Sequence, residues 1–191
     1  MRFFEDNGIS LVLGEDDERI LRENTMDFLS TSYYYTKVND VSKNTFEPMD
    51  KCSNPYLGKT QWGWEIDPVG FRTTLRRVWD RYRLPVIITE NGIGAFDKLE
   101  DGQVHDQYRI DYYQRHIEQI QYALNDGVGI FGYCPWAAID VISTHQGCSK
   151  RYGFIYVNRE EFDLLDLARI KKDSFHWYQG VIKTNGAQLG Q

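Results

Sequence analysis

An apolar run, Leu84-Pro85-Val86-Ile87-Ile88-Thr89, stops at a carboxylate, Glu90, and is followed at once by Asn91-Gly92. A run of aliphatic residues with no alternating polar positions reads as a short strand covered on both faces, the parallel-sheet pattern rather than the half-exposed one. Asn91-Gly92 marks a turn at its C-terminal end. In a barrel of alternating strands and helices that end carries the chemistry, which makes Glu90 a candidate nucleophile or base. A loop glutamate that merely follows a strand is the plainer reading, and the remaining chain has to separate the two.

The flanking segments supply the context. Asp67 is placed to cap a helix with Pro68 at its first position, and Phe71, Leu75, Val78 and Tyr82 recur at helical spacing toward one core. After Glu90, Ile110, Tyr113, Ile117, Ile120 and Leu124 repeat the pattern up to Asn125-Asp126-Gly127, and a second buried strand runs from Val128 to Trp136. A strand over Phe28–Tyr35 precedes them, giving three parallel strands with two intervening helices. Upstream, Met1–Asn7 reads as the end of a helix closed by Gly8, and Asp16–Glu23 as a charged helix. Residues 40–59 show no period and read as a long loop. Downstream, Tyr152–Val157 and Phe162–Leu167 suggest a β-hairpin around 158–161. A last helix over about 171–183 turns Phe175, Tyr178 and Ile182 inward, and 187–191 reads as a frayed tail.

Composition narrows the function classes. The 191 residues, 41% hydrophobic, can bury a core as a single domain spanning 1–191. The formal charge of −6, with no basic face, argues against a nucleic-acid partner. Cys52, Cys134 and Cys148 lack metal-type spacing, so neither a disulfide framework nor a metal site is expected, and a reducing, cytoplasmic compartment fits. No run approaches membrane-spanning length and no motif calls for a cofactor. The aromatic residues, 13 Tyr, 10 Phe and 5 Trp, suit sugar platforms as well as cores.

Thr89-Glu90-Asn91-Gly92 after a buried strand, Trp64-Glu65-Ile66-Asp67-Pro68-Val69-Gly70 ahead of it, and Trp136 at the end of the next strand together resemble glycoside hydrolase family 1 over about residues 16–182. The resemblance implies a (β/α)8 barrel and retaining hydrolysis of β-glycosides. Glu90 would be the nucleophile, Tyr34 the tyrosine that orients it, and Trp136 an apolar face against the sugar. Packing inside the strand is the expectation for Tyr33 and Tyr35.

Where family members acting on unmodified sugars carry a Glu-Trp pair, this chain has Ser143-Thr144. A carboxylate there would repel a phosphate, whereas a serine donates to one. Ser143, Lys150 and Tyr152 resemble the Ser-Lys-Tyr set with which the family's 6-phospho-β-glycosidases hold the 6-phosphate, and Thr144 is more similar to the phospho-glucosidases than to the phospho-galactosidases. The implied partner is a phosphorylated β-glucoside. The departure is the general acid, which the family carries in an Asn-Glu motif on an earlier strand; the chain has no Asn-Glu dipeptide, and neither Asp140 nor Glu65 matches that position. The expectation is thus the C-terminal part of an incomplete barrel. It would be paired with a complementing N-terminal portion or, as a catalytically silent fragment, with copies of itself.

Overall fold

The computed structural model describes residues 2–38 and 54–190. Most of the loop expected over 40–59, with Cys52, lies outside the described residues. Two short helices, α1 (Arg2–Asp6) and α2 (Asp17–Glu23), bury no residue. Three strands, β1 (Leu29–Tyr33), β2 (Val86–Asn91) and β3 (Ile130–Pro135), form a parallel sheet in the order β1-β2-β3. They are joined by α3 (Pro68–Tyr82) and α4 (Gln107–Asn125). This is the expected part of a (β/α)8 barrel, and it is not closed.

α3 begins where the local chemistry dictates. Asp67 Oδ1 accepts the Gly70 N–H at 2.8 Å, and its other oxygen accepts from Thr36 Oγ1 at 2.7 Å. A side chain at residue 70 could not coexist with this cap, since a Cβ there would lie 2.1 Å from Asp67 Oδ2. The helix ends with Arg83 in the left-handed region, its N–H bonded to the Trp79 carbonyl.

One face of the sheet packs on these helices. Tyr33, Val86 and Ile88 join Phe71, Leu75, Ile120, Ala123 and Val128 in one buried cluster. A second cluster links Ile93, Tyr112, Tyr113 and Ile117 to Phe154, Val181 and Leu189. Burying each large aliphatic or aromatic side chain stabilises the fold by roughly 1.5–3 kcal/mol, so this layer holds the chain together. The other face is open: Phe28, Ser30, Ser32, Thr89, Phe131 and Cys134 are exposed, and Phe28 and Phe131 meet edge to face at 5.6 Å. The continuous apolar run of β2 is therefore covered on one face only in this chain.

Several local expectations are corrected. Ile155–Val157 (β4) pairs antiparallel with Arg169–Lys171 (β5), not with 162–167. Asp163 and Asp166 accept the Leu165 and Ala168 N–H groups, and Leu165 and Leu167 take positive φ, which makes 158–168 a loop. The last helix, α5 (Asp173–Lys183), accordingly starts later. It buries Val181 and leaves Ile182 65% exposed, and in α4 Ala123 is buried where Leu124 was expected. Tyr82 is exposed at the end of α3. Residues 187–190 form no helix or strand, yet Leu189 is buried and accepts the Trp177 Nε1–H at 3.2 Å.

Candidate active site

Glu90 reaches its place through an irregularity of register. Thr31 pairs with Ile88 but Ser32 pairs with Glu90, and on the other side Ile88 opposes Tyr133 while Asn91 opposes Pro135. β2 therefore carries one extra residue, Thr89, against both neighbours. Strict alternation from Val86 and Ile88 would send Glu90 toward the helices. The bulge turns it instead to the opposite face and sends Asn91 to the helix side, where it is fully buried. There the Asn91 amide donates to Tyr33 O at 2.7 Å and Tyr112 Oη at 3.1 Å, and its oxygen accepts from Tyr133 Oη at 2.8 Å.

The chain leaves β2 against the end of β3. The Trp136 N–H donates to Asn91 O at 2.8 Å, and Tyr113 Oη donates to Trp136 O at 3.0 Å. Gly92 permits this approach, since a Cβ there would fall 2.0 Å from Trp136 O. Trp136 is 36% exposed and joined to Ala137 by a cis peptide bond.

A cavity of about 230 Å³ opens at these strand ends, lined by Tyr34, Trp64, Glu90, Trp136, Val141, Ile142, Ser143, Thr144 and Tyr152. Tyr34 Oη donates to Glu90 Oε2 at 3.0 Å. Burial, with the Glu90 carboxylate beside it, pushes the Tyr34 phenol well above its ordinary range, so it stays a proton donor. Tyr33 is buried in the core and Tyr35 packs on Trp64 at 5.0 Å.

Ser143 sits in a tight loop closed by reciprocal backbone bonds to Gly147, and its hydroxyl donates to Gln146 Oε1 at 3.3 Å. Burial raises the Tyr152 phenol, partly offset by a hydrogen bond with Ser143. Lys150 is fully buried and is not among the cavity-lining residues. Its Nζ lies 3.5 Å from the centroid of the Trp64 ring, and burial pulls its pKa down to about 8. So the structure brings Glu90, Tyr34, Trp136, Ser143 and Tyr152 to one wall and leaves Lys150 one ring behind it. Trp64 and Gln146 were not singled out as site residues, although Trp64 opens the motif that ends in the α3 cap.

The loops carrying these groups are anchored by buried ions. Arg109 pairs with Asp97 and Asp106, Lys172 with Asp97 and Asp140, and Arg151 with Asp140 at 3.0 Å. Burial alone would raise the Asp97 carboxyl, but Arg109 and Lys172 hold it below its ordinary range. Asp140 also accepts the Gly153 N–H at 2.9 Å, so its oxygens are committed to structure. Among the described residues no group of three or more His, Cys, Asp or Glu could hold a metal, and no helix is long and apolar enough to cross a membrane.

Comparison with known proteins places this geometry. The family model described as glycosyl hydrolase family 1 matches residues 1–187. The aryl-phospho-beta-D-glucosidase BglC of Bacillus subtilis is 43% identical over 98% of this chain and 44% of its own length. The phospho-cellobiase of Klebsiella oxytoca is 46% identical over 99% of this chain and 42% of its own. Among solved structures, the family 1 β-glucosidase from Thermotoga maritima in complex with isofagomine lactam superposes with a TM-score of 0.78 at 37% identity, over 91% of this chain and 38% of that one. The chain thus spans less than half the length of the relatives it matches.

Proposed function

The chain belongs to glycosyl hydrolase family 1, and on that premise we propose that it is the nucleophile- and phosphate-bearing part of a retaining 6-phospho-β-glucosidase. The observation that carries the reading is the Tyr34–Glu90 hydrogen bond of 3.0 Å on the wall of a cavity that also presents Trp136, Ser143 and Tyr152. Relatives named as an aryl-phospho-beta-D-glucosidase and a phospho-cellobiase support the substrate class.

In this mechanism a Glu90 oxygen attacks the anomeric carbon as the glycosidic bond breaks. The leaving oxygen takes a proton from a second carboxyl, and water later releases the sugar from Glu90. Tyr34 holds the carboxylate in line and lowers the cost of desolvating it. Trp136 offers an apolar face to the ring, Ser143 and Tyr152 donate to the 6-phosphate, and Lys150 supplies its counter-charge. Retaining chemistry needs the second carboxyl about 5–5.5 Å from Glu90. Asp140 is engaged in the buried ion network, and the sequence lacks the family's Asn-Glu motif, so in this reading a complementing barrel portion supplies that group. Thr144 on the cavity wall favours gluco- over galacto-configured substrates in this reading.

The test is trapping. A 2-fluoro-6-phosphoglucoside with a good leaving group, incubated with the chain together with the remaining barrel portion, should add one glycosyl mass to the peptide containing Glu90. Glu90→Gln should abolish the adduct. An adduct on another carboxylate overturns the assignment. Self-association of the chain with no trapping in any combination would favour the silent fragment instead.

A further inference from the structure

Lys150 and Trp64 hold one another in a way the substrate reading leaves unused. The Lys150 stem lies along Gly94, where an added Cβ would meet Lys150 Cε at 2.4 Å. Its ammonium faces three rings, with Trp64 at 3.5 Å, Trp62 at 5.3 Å and Tyr152 at 5.5 Å. The polar contact is Gln146 Oε1 at 3.5 Å, the outer limit of a hydrogen bond. A desolvated ammonium on an indole face is the strong form of the cation–π contact. Trp64 itself lines the cavity and meets the Tyr34 ring at 5.6 Å. The indole that walls the cavity is therefore the indole that holds the ammonium.

We propose that Trp64 is a positioning residue that sets phosphate specificity, because its ring and the 6-phosphate of a sugar compete for the Lys150 ammonium. The inference rests on the phosphate reading of Ser143, Lys150 and Tyr152 given above. A phosphate between the Ser143 and Tyr152 hydroxyls offers the ammonium a full negative charge, and the ammonium leaves the ring to meet it. A sugar without phosphate offers nothing to exchange, so Lys150 stays on Trp64. Among the described residues, the titratable groups that share the cavity wall with Trp64 are Glu90, Tyr34 and Tyr152, and the Arg151 guanidinium next to Lys150 is turned to Asp140.

The experiment uses the whole chain with glucose 6-phosphate as probe. Indole emission is followed in the wild type, Lys150→Met, Trp64→Leu and Trp62→Leu. Raising the pH through about 8, where burial places the Lys150 amine, should change emission in the wild type and leave Lys150→Met flat. Glucose 6-phosphate should give a similar change at constant pH, and glucose none. Trp64→Leu should bind glucose 6-phosphate about tenfold tighter by calorimetry, the scale of a cation–π contact at a desolvated site. Trp62→Leu should bind as the wild type does.

Unchanged or weaker binding by Trp64→Leu, alongside binding by the wild type, overturns the competition and leaves the phosphate reading standing. No binding by the wild type, with the pH-dependent emission intact, overturns the phosphate reading and the competition with it. A wild type without the pH-dependent emission removes the ammonium–indole contact on which the proposal is built.

Discussion

The two faces of the β1-β2-β3 sheet are made of the same strands and serve opposite purposes. Toward α3 and α4, Val86, Ile88, Phe71 and Leu75 are completely buried in one apolar cluster. On the opposite face Phe28 and Phe131 remain more than half exposed, and the polar groups Tyr34 and Glu90 gather at the strand ends. The helix face supplies cohesion and the open face carries the candidate site. A single strand, β2, serves both because its bulge changes which face receives the side chains beyond Ile88.

If that division is right, truncation on the helix face should be the most damaging change to stability. Phe71→Ala should cost about 3–5 kcal/mol, the range for a fully buried aromatic, read as a fall in the urea midpoint at unchanged slope. A loss below 1 kcal/mol would mean that this layer is not the core.

Acid should attack the same layer next. His116 is buried against Tyr112 and Phe71, its Nδ1 bonds the Tyr112 carbonyl at 2.7 Å, and burial depresses its pKa from 6.5 to about 4. The unfolded chain takes up this proton near pH 6.5 and the folded chain does so only near 4. The stabilisation is therefore full above pH 6.5 and lost as pH falls through about 4. The loss should total roughly 3 kcal/mol. Asp97, held low by Arg109 and Lys172, extends it to lower pH. His116→Gln should flatten the slope between pH 6.5 and 4 in thermal melts, and an unaltered slope would assign it elsewhere.

On the open face the effect should appear in chemistry and not in stability. Tyr34→Phe removes one charge-assisted hydrogen bond worth about 1.5–3 kcal/mol, so trapping at Glu90 should slow by roughly 10- to 100-fold. Its melting curve should move far less than that of Phe71→Ala. The smallest change expected is Phe131→Ser. With Phe131 already 56% exposed, it should alter the stability of the chain by less than about 0.5 kcal/mol. A large loss there would show that something covers this face.

What could be read from the sequence follows the same line. The start of α3 at Asp67-Pro68 and the end of β2 at Glu90 are local events, a cap and a break in an apolar run, and both are legible from a few adjacent residues. Phe162–Leu167 misleads because its leucines and aspartates imitate a strand, whereas Asp163 and Asp166 spend their carboxylates on turns. Only the last inward position of α4 and of α5 differs, Ala123 and Val181 in place of Leu124 and Ile182, which lie along the uncovered flank of β3 beside Phe131. Lys150 is legible as a member of the Ser143-Lys150-Tyr152 set, but not its burial on Trp64, nor that of Arg151 on Asp140. Those destinations depend on partners far away in sequence. The bulge at Thr89 is hidden for the same reason, since one strand's extra residue exists only relative to its neighbours.

The extra residue in β2 acts as a switch in the strand's rhythm, and its presence decides which of two neighbours meets the cavity. Were the strand to run in strict alternation through Thr89 with no residue lost, Glu90 would fall among Tyr112 and Tyr133 and Asn91 would turn to the cavity, with the composition of the protein unchanged. Deleting Thr89 would remove the bulge yet leave Glu90 and Asn91 on their present faces, because alternation from Ile88 would then reach Glu90 one residue sooner. The half-beat at Thr89 thus parts two adjacent side chains, setting Asn91 on the side of the sheet that holds the molecule together and Glu90 at the cavity.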